Sequence, residues 1–387
     1  MLRILVLKEK KDNRVCLIPS DIKKLIENKI VVYVEKNAGL TAGYTDQEYI
    51  SSGATIINKV TKEVIDKIDI IATVTVNRNK KLFTIANPNI FFWGYQYLVN
   101  NTKEMYFMLK NSISSIGVEA ISKDSIYEFI IPNEKIKGSY APILAADYLS
   151  KAKNKFAIGQ SIAKIDENGK NANFTILNYS YSGYFAAIQA LAMGANVTYI
   201  DQDDEILADL TKDKKIVALT KAFNSTFKTV HFSHENLVEE MKNTNVLIAT
   251  NQLPTVKTVT KITNGMLESM PKGSVFVDLA VETGFSSDVE TKPANIKKQF
   301  QTISGVACVT IEHISNLFPK VISDAISGLN TKYFIQLAKS SEKSLIDSIS
   351  KDKTLSHAVM TYRGNLTNSD IASSLSLKYT SLATAKK

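Results

Sequence analysis

The stretch Phe174 to Asp201, "FTILNYSYSGYFAAIQALAMGANVTYID", leaves little freedom to the fold around it. It runs from a buried-strand segment through a turn to an alanine-rich helical segment stopped by Gly194, then to a second apolar segment ending on an acid. That is one βαβ unit, and its sheet needs parallel neighbours and helices on both faces to be buried. The rest of the chain supplies them. Apolar runs at "LRILVL", "IVVYVEK", "DIIATVTV", "IFFWGYQYL" and "SISSIGVEAI" alternate with helical spacing at "IPSDIKKLIENK" and "NTKEMYFMLKN", the signature of a parallel α/β sheet. Beyond Asp201, "KTVHF", "TNVLIAT", "GSVFVDLA" and "ACVTIE" repeat the pattern, enough strands for one doubly wound domain. The prediction is α/β with two Rossmann-like domains, each a doubly wound parallel sheet. Residues 124–140 read as a polar loop, "APILAADYLSKA" as a helix and "IGQSIAKIDENGKNAN" as a linker. After Leu317 come a long helix at "SDAISGLNTKYFIQLAKS" and a shorter one at "SLIDSIS".

Composition narrows the function classes. With 44% hydrophobic and 22% charged residues over 387 positions, each of two domains can bury a core. Lysine and arginine exceed aspartate and glutamate by 47 to 38, a surplus that favours an anionic partner such as a nucleotide, a nucleic acid or an acidic lipid. The basic residues are scattered and not interleaved with aromatics, which argues against a nucleic-acid binder. Cys16 and Cys308 are far apart, and neither falls at metal-ligand spacing with His231, His234, His313 or His357. His231 and His234 alone lack a third ligand. A reduced, cytoplasmic, metal-free protein is expected. The start "MLRILVLKEKKDNRV" turns charged after seven residues, too soon for a signal peptide, and no apolar run approaches the ~18 residues of a membrane span.

The opening stretch also carries chemistry. In the dinucleotide fingerprint G-x-G-x-x-G, the first glycine permits a tight turn, the second lets backbone approach the pyrophosphate and the third lets helix pack on strand. Here those places hold Asn178, Ser180 and Gly183. Asparagine tolerates left-handed dihedrals, so the turn survives. Ser180 puts a hydroxymethyl group where the diphosphate needs bare backbone, although a phosphate can still use the helix N-terminus and a serine hydroxyl. Asp201 stands where an acid takes the ribose hydroxyls of NAD; equally, it reads as a solvated acid ending a strand.

The start of the chain resembles the family of alanine dehydrogenase and the soluble α subunit of proton-translocating NAD(P) transhydrogenase. The matching residues are Lys8-Glu9, Arg14-Val15 with Pro19, Glu35 with Ala38-Gly39, and Asp46 with Tyr49 and Gly53-Ala54. "MPKGSVFVDLAVETG" and "TYRGNLTNSD" extend the resemblance across the chain. It implies a homodimer with a cleft between a discontinuous first domain, 1–145 plus 325–387, and an NAD(H)-binding domain, 146–324.

Alanine dehydrogenases bind pyruvate with an arginine, a lysine and a histidine. Arg14 matches the arginine, but Thr73 and Thr75 stand at the lysine positions and "FFWGYQYL" has no histidine. Arg14 then reads as a structural or surface charge. Glu282 matches the transhydrogenase Glu, and "FFWGYQ" its tryptophan and glutamine. The Arg-Gln-Asp loop of that subunit is replaced by Asp124, Ile126 and Phe129, and its double glycine by Gly284-Phe285. The expected function is the soluble NAD(H)-binding component of a proton-translocating transhydrogenase, an enzyme passing hydride to NADP(H) on a partner subunit. Asn178, Ser180, Gly183 and Asp201 would hold NAD(H), and Glu282 would face the nicotinamide or serve in packing. Membrane-spanning and NADP(H)-binding subunits would be its partners and would hold it peripherally at the inner membrane. A noncatalytic binding or regulatory member of the same family is the alternative, and an amino-acid dehydrogenase the third.

Overall fold

The computed structural model describes residues 1–76, 80–151, 171–250, 261–280, 287–289, 300–309 and 314–387. The chain divides into two compact units, Met1–Asn133 with Ser315–Lys387, and Glu134–Ile314.

Unit 1 begins with β1 (Arg3–Val6), β2 (Val31–Glu35), β3 (Thr55–Ile57), β4 (Ile70–Thr75), β5 (Phe91–Tyr95) and β6 (Ser114–Gly117). Unit 2 contains β7 (Asn173–Leu177), β8 (Asn196–Asp201), β9 (Phe227–His231), β10 (Val246–Ala249), β11 (Val275–Asp278), β12 (Phe300–Ile303) and β13 (Val306–Val309). The chain then returns to unit 1 with β14 (Val359–Tyr362) and β15 (Asn365–Leu366). The sheets run β15-β14-β6-β5-β4-β1-β2-β3 and β12-β13-β11-β10-β7-β8-β9. Each therefore holds a six-stranded parallel stretch in the doubly wound order, reversing direction between β1 and β4 in unit 1 and between β7 and β10 in unit 2. Where the order reverses, the loops after the two central strands part and leave room for a ligand at their carboxyl ends.

Neither sheet is wholly parallel. β12 pairs antiparallel with β13, and β14 pairs antiparallel with both β6 and β15. The β14–β15 connection is Arg363-Gly364, with φ 46° and 83°, the two left-handed residues of a tight hairpin turn.

The residues that carry the family resemblance are mostly scaffold. Glu35 accepts the Lys8 N–H at 2.8 Å, Asp46 accepts the Asn37 N–H at 2.8 Å, and Tyr49 donates to the Leu17 carbonyl at 2.8 Å. A Cβ on Gly39 would lie 2.6 Å from the Tyr49 hydroxyl, so the glycine and the tyrosine fit only together. The helix Pro19–Glu27 follows, with Pro19 at its start, where a missing N–H costs nothing. The returning helix Pro319–Ala338 locks this region: Ser323 and Ser327 accept the N–H groups of Val15 and Ile18, and Asn330 bridges Trp93 Nε1 at 2.7 Å to the Cys16 carbonyl at 2.8 Å. Trp93, Phe91, Phe92 and Phe334 are wholly buried, each contributing about 1.5–3 kcal/mol.

Residues 124–140 correct the expected loop. A helix runs from Ile130 to Lys151 through Pro142, so its first ten residues lie in the segment read as polar loop. Pro132 sits in the first turn, where its missing N–H removes no intrahelical bond. The expected linker over residues 158–170 lies outside the described residues. Among those described, no helix is long and apolar enough to cross a membrane.

Candidate functional site

The phosphate-type turn of unit 2 follows β7 at the point of reversal. Asn178 adopts φ 67°, so the first position keeps the left-handed turn without glycine, as the asparagine predicts. Its side chain donates to the Thr250 carbonyl at 3.1 Å, and the Thr250 hydroxyl donates back to the Asn178 carbonyl at 2.5 Å. Thr250 immediately follows β10, so the pair ties together the two strands between which the sheet order reverses. Ser180 is the N-cap of the helix Tyr181–Ala192, its hydroxyl accepting the Gly183 N–H at 2.9 Å. Such a cap stabilises a helix by about 1 kcal/mol. It also occupies one of the donors a diphosphate would use.

Gly183 keeps the packing role of the third glycine. A Cβ there would meet the Tyr199 hydroxyl at 2.3 Å and the Asn178 carbonyl at 3.1 Å. At the far end Gly194, at φ 81°, stops the helix as expected. Asp201 is not a solvated acid: it is 2% exposed. Its Oδ2 accepts the Tyr179 N–H at 2.5 Å and its Oδ1 the Asp203 N–H at 2.9 Å. Asn178, Ser180, Gly183 and Asp201 are thus brought into one turn. Among the described residues, the N–H groups of Tyr181 and Ser182 are the donors left at the helix start. Glu282 and Gly284-Phe285 lie outside the described residues.

A feature that sequence reading missed completes this turn. The Ile130–Lys151 helix crosses the start of the Tyr181–Ala192 helix at Gly138, where a Cβ would stand 2.2 Å from the Ser182 carbonyl oxygen. A glycine in a helix interior costs roughly 0.5–1 kcal/mol, and that unexplained cost was the available signal.

In unit 1 the reversal point lies between β1 and β4, and it holds a charged cluster. Arg14 binds Asp12 through Nε at 2.8 Å and Nη2 at 2.6 Å, and its Nη1 donates to Asn133 at 2.6 Å. Both charges are buried. Arg14 is therefore structural, the first of the two roles left open for it. Glu9 lies beside the pair, 7% exposed. Its Oε1 accepts the Thr73 hydroxyl and the Val74 N–H, while Oε2 has no hydrogen-bond partner among the described residues. Burial pushes the Glu9 carboxyl up to about 7, Asp12 adding to the rise and Thr73, Val74 and Arg14 opposing it. Glu119, after β6, is likewise raised by burial to about 7 while accepting the Tyr97 N–H at 2.7 Å.

Asp124, Ile126 and Phe129 have no part in either cluster: Lys123 and Ile126 form an isolated bridge, and the Phe129 carbonyl accepts the Tyr95 hydroxyl. His231 pairs with Asp204 at 2.8 Å. Among the described residues no group of three or more His, Cys, Asp and Glu side chains is arranged to hold a metal.

Known proteins share this architecture. Residues 5–128 match the alanine dehydrogenase/PNT N-terminal domain and residues 141–369 the alanine dehydrogenase/PNT C-terminal domain. Alanine dehydrogenase 1 of Staphylococcus aureus is 28% identical over 384 residues, covering 97% of both chains. Among solved structures, an L-alanine dehydrogenase superposes with a TM-score of 0.80 at 20% identity, covering 97% of this chain and 99% of the other. A transhydrogenase from Sinorhizobium meliloti reaches 0.72 at 18% identity, covering 95% and 99%. Members of this oxidoreductase family bind NAD(H). With both halves matched over most of its length, the chain belongs to the alanine dehydrogenase/PNT family.

Proposed function

We propose that this chain is the NAD(H)-binding component of a transhydrogenase-type enzyme, exchanging hydride with NADP(H) on a partner subunit. The observation that carries the reading is the engagement of Arg14. Its guanidinium is held by Asp12 and Asn133, Thr73 and Thr75 stand at the lysine positions, and Glu9 adds a carboxyl. An oxo-acid carboxylate entering there would meet a neutralised arginine and an acid, whereas alanine chemistry needs cations to pair it. The relatives named alanine dehydrogenase thus support the scaffold and the cofactor more than the substrate.

The turn of unit 2 suits a dinucleotide: the left-handed Asn178, the close packing at Gly183 and the helix start at Tyr181 are the parts a diphosphate requires. Bound NAD(H) supplies the hydride, and this chain's residues position it. A homodimer, with membrane-spanning and NADP(H)-binding subunits holding it at the inner membrane, follows from the same reading.

A noncatalytic family member is the second reading. What favours it is the closure of the turn on itself, with Ser180 holding the Gly183 N–H and Asp201 the Tyr179 N–H.

Calorimetric titration with NADH and with ADP-ribose separates the two. The first reading expects micromolar binding, about 8 kcal/mol of affinity, and no turnover of alanine with NAD or of pyruvate and ammonia with NADH. Silence at millimolar NADH would leave the noncatalytic reading standing, and alanine turnover would overturn the argument from Arg14.

A further inference from the structure

We propose that Asp201 is a positioning residue of the dinucleotide turn and not the group that reads the adenosine ribose, so that preference between NADH and NADPH is not set at this position. This rests on the dinucleotide reading of unit 2 and departs from the role the family resemblance implies for the residue.

To take ribose hydroxyls, an acid at the end of the second strand must turn an oxygen outward to the ligand. Asp201 turns both inward. Oδ2 takes the Tyr179 N–H, which belongs to the turn, and Oδ1 takes the Asp203 N–H at the start of the next loop. With 2% of the residue exposed, a ribose has no path to either oxygen. The buried carboxylate is held by these donated N–H groups, as a charge away from water requires. The main chain on both sides is also fixed: the Asn178 N–H donates to the Ile200 carbonyl at 2.9 Å, and the Asp201 carbonyl accepts the Phe232 N–H at 2.8 Å.

The carboxylate therefore braces Tyr179 between Asn178 and Ser180. It acts on the diphosphate grip, which NADH and NADPH share, and not on the 2′ substituent by which they differ. Repulsion of a 2′-phosphate by an exposed acid at this strand end, the usual basis for NAD preference, is missing at Asp201.

Asp201→Asn tests this, because an amide must offer its NH₂ to one of two N–H donors. In the ligand-free wild-type protein, hydrogen exchange should show the Tyr179 and Asp203 amides protected. In the variant one or both should exchange about tenfold faster or more, the loss expected for a hydrogen bond to a charged group. In titrations, NADH and NADPH should both bind about tenfold more weakly with their ratio unchanged within about twofold. An unprotected Tyr179 amide in the wild type would overturn the proposal. So would a variant that loses NADH affinity alone and narrows the gap to NADPH, the behaviour of a ribose reader. If the wild type binds neither nucleotide, the dinucleotide reading fails, and amide exchange still decides what Asp201 holds.

Discussion

Raising the pH from about 5 to about 8 should weaken unit 1 by about 3 kcal/mol for each of two buried carboxyls, Glu9 and Glu119. Both are raised from 4.5 to about 7 by burial. The folded state therefore holds these protons more tightly than the unfolded chain does. Their stabilisation is complete below pH 4.5 and is lost as the pH climbs through 7. The lowered carboxyls Glu48, Glu63 and Asp347 act in the opposite sense, but only at and below the ordinary carboxylate range. Trp93 is the single tryptophan and lies buried in unit 1 against Phe334, with ring centroids 5.0 Å apart, so its fluorescence reports this unit alone. Urea midpoints followed by Trp93 should fall steadily across that window, and Glu9→Gln should remove about half of the slope. A wild-type midpoint that is flat or rising over the same range would show that neither carboxyl is held neutral.

Replacing Gly138 with alanine is the second large effect. The new methyl would collide with the carbonyl oxygen of Ser182 at 2.2 Å and with its C and Cα at 2.9 Å. These are main-chain atoms of a helix start and no rotamer change moves them, so the two helices must part. Overpacking of this kind costs about 2–3 kcal/mol, roughly 4–12 °C in the midpoint of a unit this size. In an exposed helix the same change would stabilise. Hydrogen exchange over residues 174–200 locates the loss, and NADH affinity should fall with it because Ser182 is displaced from the turn. An alanine variant as stable as the wild type would refute the contact.

How much of this was readable beforehand depends on the range of the interaction. β4 was legible as "DIIATVTV" and β7 from Phe174 because a strand buried on both faces is a continuous apolar run. Asn178, Ser180 and Gly183 were placed correctly because spacing alone defines such a turn. The helix start at Ile130 was hidden: "IIPNEKIKGSYA" carries two weak helix formers, and packing on the Tyr181–Ala192 helix decides it. β12 was missed because "FQTI" is half-buried and gains its place by pairing with β13. The burial of Asp201 and the orphaned oxygen of Glu9 were beyond reach, since both depend on where distant backbone N–H groups end up.

The antiparallel return of β14 onto β6 also orders events in time. Ser115 and Thr361 share a hydroxyl hydrogen bond across 246 residues of sequence. At roughly 5–20 residues per second on a ribosome, the partner of β6 is synthesised about 12–50 s later. Unit 2, residues 134–314, is complete within that interval and can fold as an insertion while its host waits. Meanwhile β6 presents an unsatisfied row of main-chain donors and acceptors to any passing strand. Nascent chains stalled short of Val359 should therefore be the species that chaperones retain and that aggregates in overexpression, and supplying residues 355–387 as a separate peptide is the direct way to rescue them.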